Sequence, residues 1–166
     1  MSTPEQGSAQ LPFRAAMEAR DLPAVIDTFS PHAVLRSPFT EKLAFSGHAQ
    51  IAALTQVLLD VIEELRYTDE LIHADMGFLV GRGRVGGQTI EWVDHLRFDS
   101  DAKISELTVF FRPLPASAAA LRVIGAALSR RRSPGRAAAV SALALPLALM
   151  TRFGDGVGTR LVGPSL

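Results

Sequence analysis

One carboxyl group in this chain stands among hydrocarbon. In the run Ile90-Glu91-Trp92-Val93-Asp94-His95-Leu96-Arg97-Phe98, alternate side chains of a strand face opposite ways, so Asp94 shares a face with Ile90, Trp92, Leu96 and Phe98. Moving a carboxylate out of water costs several kcal/mol unless it is paired, so the cheaper state is the protonated acid, a hydrogen-bond donor. That makes Asp94 the candidate for chemistry on a carbonyl or hydroxyl compound. The competing reading is a structural carboxylate paired with Arg82, Arg84 or Arg97.

Other residues with chemical potential argue less. His95 alternates away from Asp94, toward a surface or a dimer partner. The four histidines, His32, His48, His73 and His95, show no short metal-ligand spacing, so no metal is expected. Gly81-Arg82-Gly83-Arg84-Val85-Gly86 spells G-x-G-x-x-G but leads into a strand, so no helix N-terminus exists to receive a phosphate. With no cysteine, disulfides, thiolate nucleophiles and Cys-based zinc or iron–sulfur sites are excluded, and a reducing cytoplasm fits. Seventeen basic residues balance seventeen acidic ones, without a basic stripe and interleaved aromatics in the first two thirds, which argues against nucleic acid. The opening Met1-Ser2-Thr3-Pro4-Glu5-Gln6 lacks the basic and apolar regions of a signal peptide, and a cytoplasmic protein is expected.

The elements that must position Asp94 follow from periodicity. Phe13, Ala16, Met17, Leu22, Val25, Ile26 and Phe29 recur at helical spacing, broken by Arg20-Asp21-Leu22-Pro23, so two short helices are predicted, with Asp21 as a cap and Pro31 as the end of the second. Ala33 to Ser37 reads as a short strand and Pro38 to Ser46 as a loop. Ser46-Gly47 opens a long helix whose face is Ile51, Leu54, Val57, Leu58, Val61, Ile62 and Leu65. Strands are predicted at 66–74, 77–85, 88–98 and 103–112, separated by Gly86-Gly87 and Asp99-Ser100-Asp101, with Leu107, Val109 and Phe111 alternating against Glu106, Thr108 and Phe110. Helices followed by an antiparallel meander make an α+β pattern.

Pro12-Phe13-Arg14-Ala15-Ala16-Met17-Glu18-Ala19-Arg20-Asp21-Leu22 with Phe29, then Ala33-Val34-Leu35-Arg36-Ser37-Pro38 and Gly47, then Val93-Asp94-His95-Leu96-Arg97-Phe98, resembles the ketosteroid isomerases and the wider SnoaL-like group of the nuclear transport factor 2 fold. The resemblance covers roughly residues 8–113. It implies a cone-shaped fold in which three N-terminal helices wrap a curved, mostly antiparallel sheet, followed here by a C-terminal helical extension. In those isomerases an aspartate base moves a proton while a tyrosine and a protonated aspartic acid hold the oxyanion. Asp94 matches the protonated acid, but Phe13 stands at the tyrosine and Ser37 at the base. A lone serine hydroxyl does not take a proton from carbon at a useful rate, and phenylalanine donates no hydrogen bond. Limonene epoxide hydrolase, of similar fold, needs a second aspartate, and no second carboxylate lies on an inward register, Glu106 facing away from Leu107, Val109 and Phe111.

The implied architecture is a domain over 8–115 and a helical extension over 116–166. Trp92, Phe13, Met17, Phe29, Leu54 and Leu58 are core residues of which a cone-shaped fold leaves some on a cavity wall, and the expected pocket adds Ser37, Leu96, Leu107, Val109 and Phe111. In the extension Leu121, Ile124 and Leu128 mark one amphipathic helix ending at Arg130-Arg131-Arg132, and Arg136 to Met150 is an apolar segment interrupted by Pro146. About twenty apolar residues are needed to span a bilayer, so this shorter segment is expected to dock on protein, covering the domain or a dimer seam, rather than on a membrane. The tail from Gly154 to Leu166 is glycine-rich. Two functional readings stand at this point. One is a pocket protein, without cofactor and working as a homodimer, that binds or weakly processes a hydrophobic steroid- or polyketide-like carbonyl or hydroxyl compound in isomerase, cyclase or dehydratase style. The other is a non-catalytic interaction protein whose C-terminal helices contact a partner or membrane surface.

Overall fold

The computed structural model describes residues 10–130, 142–151, 153 and 154. Helices α1 (Pro12–Glu18) and α2 (Leu22–Asp27) lead into strand β1 (Phe29–Arg36), followed by β2 (Ala44–Ser46) and helix α3 (Gly47–Val61). Strands β3 (Glu63–His73), β4 (Met76–Val85), β5 (Gln88–Phe98) and β6 (Ile104–Arg112) then form a meander, and α4 (Leu114–Arg130) follows. The six strands make one sheet in the order β2-β1-β6-β5-β4-β3, antiparallel except for the parallel β1–β6 pair. This is the α+β architecture the pattern implies. Three helices and α4 cover the face that carries Leu79, Ile90, Trp92, Leu96 and Leu107.

Local chemistry explains most boundaries. Asp21 caps α2, its carboxylate accepting the Ala24 N–H at 3.0 Å, with a proline in the first turn. Gly86 and Gly87 take φ of +55° and +78°, which the β4–β5 hairpin turn demands. Asp99 Oδ1 accepts the N–H groups of Asp101 and Lys103, both at 3.0 Å, and closes the β5–β6 turn.

Three expectations are corrected. Phe29 begins β1 instead of ending a helix, because the Thr28 N–H bonds back to Val25, the Ile104 N–H is donated to the Thr28 carbonyl at 2.8 Å, and Phe29 pairs with Ile104. Pro31 therefore lies inside β1, at the register irregularity between Phe29 and Val34, where a missing N–H breaks no ladder. Residues 44–46, read as loop, pair with β1 through Leu35 and Phe45. Leu65 is not on α3, since Ile62 is already extended and Glu64 has φ of +53°.

Beyond β6, α4 joins the same core through Ala116, Ala120 and Ile124. Of the apolar segment Arg136–Met150, residues 142–150 are described. They are helical and mostly exposed, Leu143 at 81% and Met150 at 73%, while Ala144 is buried. The rest of that segment and the tail beyond Gly154 lie outside the described residues.

The glycines of β4 have a steric role. Gly81 faces Trp92 across the β4–β5 pair, and a Cβ built on it would stand 2.1 Å from the indole. A Cβ on Gly83 would meet the Glu63 carbonyl oxygen at 2.9 Å. Trp92 thus lies flat over a backbone stripped of side chains. Gly81→Ala should displace the indole and cost about 1–3 kcal/mol by overpacking. Urea unfolding followed by the emission of Trp92, the single tryptophan, reads both effects. An unchanged midpoint and emission would contradict this packing.

Candidate functional site

Asp94 projects from the middle of β5 onto the covered face and is 4% exposed. It lines a cavity of about 120 Å³, several times what one water requires. Its walls come from α1, β1 and the residue after it (Phe13, Met17, Phe29, Leu35, Ser37), α3 (Leu54, Thr55, Leu58), the rest of the sheet (Leu65, Tyr67, Trp92, Leu107, Val109, Phe111) and α4 (Leu121, Ile124, Gly125, Leu128). Every expected pocket residue reaches this wall except Leu96. That side chain lies on the same face but is fully buried one alternation further along β5, packed near Gly77 and paired with Leu107, so it supports the floor without facing the space.

The competing reading, in which Arg82, Arg84 or Arg97 pairs with Asp94, is overturned. Arg82 pairs with Glu91 at 3.8 Å and Arg97 with Asp75 at 3.8 Å, both on the outer face, and Arg84 is exposed. Among the described residues Asp94 makes no ion pair. Its partners are neutral donors: the Tyr67 hydroxyl donates to Oδ2 at 2.9 Å and the Trp92 Nε1–H donates to the same oxygen at 3.2 Å. Burial is the dominant influence and raises the carboxyl to about 7, against the opposing pull of the two hydrogen bonds. Burial and the neighbouring carboxylate also push the Tyr67 phenol well above its usual value, so it stays a donor. Both donors converge on Oδ2, which leaves Oδ1 as the oxygen to carry the proton and to meet a ligand. Neutral Asp94 can donate to a carbonyl or an enolate oxygen. Ionised, it accepts from a hydroxyl or takes up a proton, and a value near 7 suits both directions.

Tyr67 is the site residue that periodicity alone did not single out. It is the only tyrosine, and it is fixed by α1 as well as by the sheet. Tyr67 pairs with Gly81, but β3 is an edge strand, so the Tyr67 N–H and carbonyl face away from the sheet toward α1. Glu18 accepts its N–H at 2.7 Å and Arg14 donates to its carbonyl at 2.9 Å. The ring packs edge-on to Trp92, centroids 5.8 Å apart, across the gap left by Gly81. An inward-alternating tyrosine beside a strand of glycines was the available signal. Thr55 was missed too. It is 3% exposed on α3 and faces the cavity, a second polar group on an otherwise apolar wall.

Ser37 lines the cavity, but its hydroxyl accepts the Phe39 N–H at 3.2 Å within the following turn. Phe13 is buried against Phe29 and Tyr67. Among the described residues no carboxylate other than Asp94 lines the cavity, and Glu106 pairs outside with Arg36 at 3.1 Å. The two-aspartate hydrolase arrangement is therefore not assembled here. His95 lies on the outer face, stacked on Phe78 at 4.7 Å, with Nε2 buried and unpartnered among the described residues. Among the same residues no three His, Asp or Glu side chains come together as a metal site.

The model of the SnoaL-like domain family matches residues 12–107. Among solved structures, a steroid delta-isomerase from Pseudomonas aeruginosa is similar at 27% identity and a TM-score of 0.61, over 72% of this chain and 85% of that one. An uncharacterised protein of cystatin-like fold from Silicibacter pomeroyi (17% identity, TM-score 0.65, 75% and 86% covered) shares the fold. So does a protein described as a SnoaL-like polyketide cyclase from Shewanella denitrificans (15%, 0.52, 61% and 86%). No curated protein matches the sequence.

The raised carboxyl makes stability depend on pH with a defined sign. Between the unfolded value of about 3.9 and the folded value of about 7, the folded chain holds a proton that the unfolded chain has lost. The stability that this one group contributes is therefore fully present below about pH 4, and on the order of 4 kcal/mol of it is lost as pH rises to about 7. Asp94→Asn should remove that part of the slope. Parallel stability curves for the two proteins, or an NMR titration of Asp94 near its ordinary value, would refute the burial argument.

Proposed function

Because the chain belongs to the SnoaL-like domain family, we propose that it binds a small hydrophobic compound of steroid or polyketide type through a carbonyl or hydroxyl group, with Asp94 as its polar anchor. The observation that carries this reading is an apolar cavity whose buried carboxyl has one oxygen engaged by Tyr67 and Trp92 and the other free of protein partners among the described residues. A ligand oxygen at Oδ1 completes that set, while Thr55 offers a second hydrogen bond from the facing helix. Apolar walls supply the affinity and the few polar groups supply orientation.

The same constellation limits catalysis. Asp94 can polarise a carbonyl or exchange one proton with the bound compound, but Ser37 and Phe13 provide neither a second base nor a second oxyanion donor from α1. The reading is thus of a binder that at most processes its ligand slowly. The lack of cysteine supports a cytoplasmic setting. A homodimer through the outer sheet face is part of the proposal: Leu71, Phe78 and Phe110 are exposed there beside the Phe78–His95 stack.

Three outcomes are expected. In a thermal-shift and native-mass screen of steroids and polyketides, compounds with a carbonyl or hydroxyl should stabilise the protein, and Asp94→Leu should weaken them roughly tenfold to a hundredfold; hits that bind the variant equally well would remove Asp94 from the site. The unmodified chain should not isomerise a 5-ene-3-ketosteroid at an enzyme-like rate, whereas Ser37→Asp with Phe13→Tyr should raise the rate by orders of magnitude. Phe110→Glu should convert a dimer to a monomer on a sizing column, and a monomeric wild type at working concentration would sink the dimer.

A further inference from the structure

The C-terminal segment carries a charge and an apolar surface that the pocket does not use. Between Leu114 and Gly154 the sequence holds six arginines (Arg122, Arg130, Arg131, Arg132, Arg136 and Arg152) and no acidic residue. The remainder therefore has 17 − 6 = 11 basic residues against 17 acidic ones, so a chain that is neutral overall divides into a body of −6 and an extension of +6. Such asymmetry within one chain points to an anionic surface as partner. The helix at 142–151 displays the other half of the signal. Leu143 (81%), Met150 (73%) and, just beyond it, Phe153 (73%) stand exposed, with Leu145, Leu147 and Leu149 close to half exposed. Apolar side chains in this number, on a stretch of sequence whose only charges are arginines, are not left in water without an occupant.

We infer that this segment seats the protein on an anionic lipid surface, the leucines entering the headgroup boundary and the arginines meeting lipid phosphates and carboxylates. It lies on the membrane and does not cross it. The uncharged run from Ala137 to Thr151 is 15 residues, which even if wholly helical reaches about 22 Å, short of the roughly 30 Å hydrocarbon core. No helix among the described residues is long and apolar enough to cross a membrane. Lipid fits better than the alternatives. Two copies joined through this segment would set six arginines against six. Nucleic acid would use the arginines but has no apolar layer to receive the leucines. This reverses the expectation that the segment packs on protein, and it stands independently of the ligand assigned to the pocket.

The test is co-sedimentation of the full chain with vesicles of phosphatidylcholine alone and with roughly 30% phosphatidylserine. Binding is expected only to the anionic vesicles, and it should vanish at about 1 M salt, where screening is complete within a few ångströms. Each arginine near such a surface multiplies the partition about fivefold, so Arg131→Gln with Arg132→Gln should weaken it roughly 25-fold. Leu143→Ser with Leu149→Ser, at exposed positions that leave the melting curve unchanged, should weaken it roughly tenfold. Any of four results would overturn the inference: no sedimentation with either vesicle, equal binding to neutral vesicles, binding sensitive to the arginines but not the leucines, or concentration-dependent self-association through the segment in place of lipid binding.

Discussion

A carboxyl group buried in hydrocarbon imposes its needs on everything around it. Among the described residues no cation neutralises Asp94, so its burial rests on a raised carboxyl and on hydrogen bonds supplied from inside the core. Tyr67 and Trp92 supply them, and each requires support of its own. The indole reaches Oδ2 because β4 has hydrogen atoms where other strands have side chains, at Gly81 and Gly83. The phenol reaches it because Glu18 and Arg14 hold the Tyr67 backbone on the edge strand β3. A glycine-rich strand, an edge strand and an ion pair on the first helix thus serve one oxygen atom.

The second constraint is closure. A sheet face with one carboxyl and otherwise aliphatic and aromatic side chains must be covered, yet a fully packed cover would leave no space for a ligand. Here α1 and α3 cover most of the face, and α4 completes the wall with Leu121, Ile124, Gly125 and Leu128. The helix that the resemblance assigns to an extension therefore contributes to the same core and the same cavity, through Ala116, Ala120 and Ile124 below and its leucines above. The charge division begins with this helix, whose Arg122 and Arg130 open the stretch of sequence that carries six arginines and no acidic residue.

The SnoaL-like domain model over residues 12–107 fixes the family, and the solved structures share the fold, but the cavity carries its own chemistry. Ser37 is committed to a turn and Phe13 to the aromatic packing beneath Tyr67, so neither adds a polar group beside Asp94. What remains is one buried carboxyl, raised to about 7, with Tyr67 and Trp92 on one of its oxygens.

The sequence by itself determined what is periodic or local. Alternation placed Asp94, Trp92, Leu107, Val109 and Phe111 on one face and His95 and Glu106 on the other; Asp21, Gly86-Gly87 and Asp99 marked their turns; and the helical stripes of α1 and α3 named Phe13, Met17, Leu54 and Leu58 as wall. These follow from 2.0 and 3.6 residue periods and from short-range hydrogen bonds, which act within a few residues. Only the tertiary structure decided what depends on distant neighbours. Phe29 left its helix because Ile104 offered it a strand, and Leu96 missed the cavity because inward-facing is not the same as cavity-lining. Asp94 met a tyrosine 27 residues away in place of the arginines nearby in sequence, since those point outward to Glu91 and Asp75. Alternation tells which face a side chain takes, whereas its partner is set by strand order and by which neighbouring positions are empty, and both are properties of the assembled sheet.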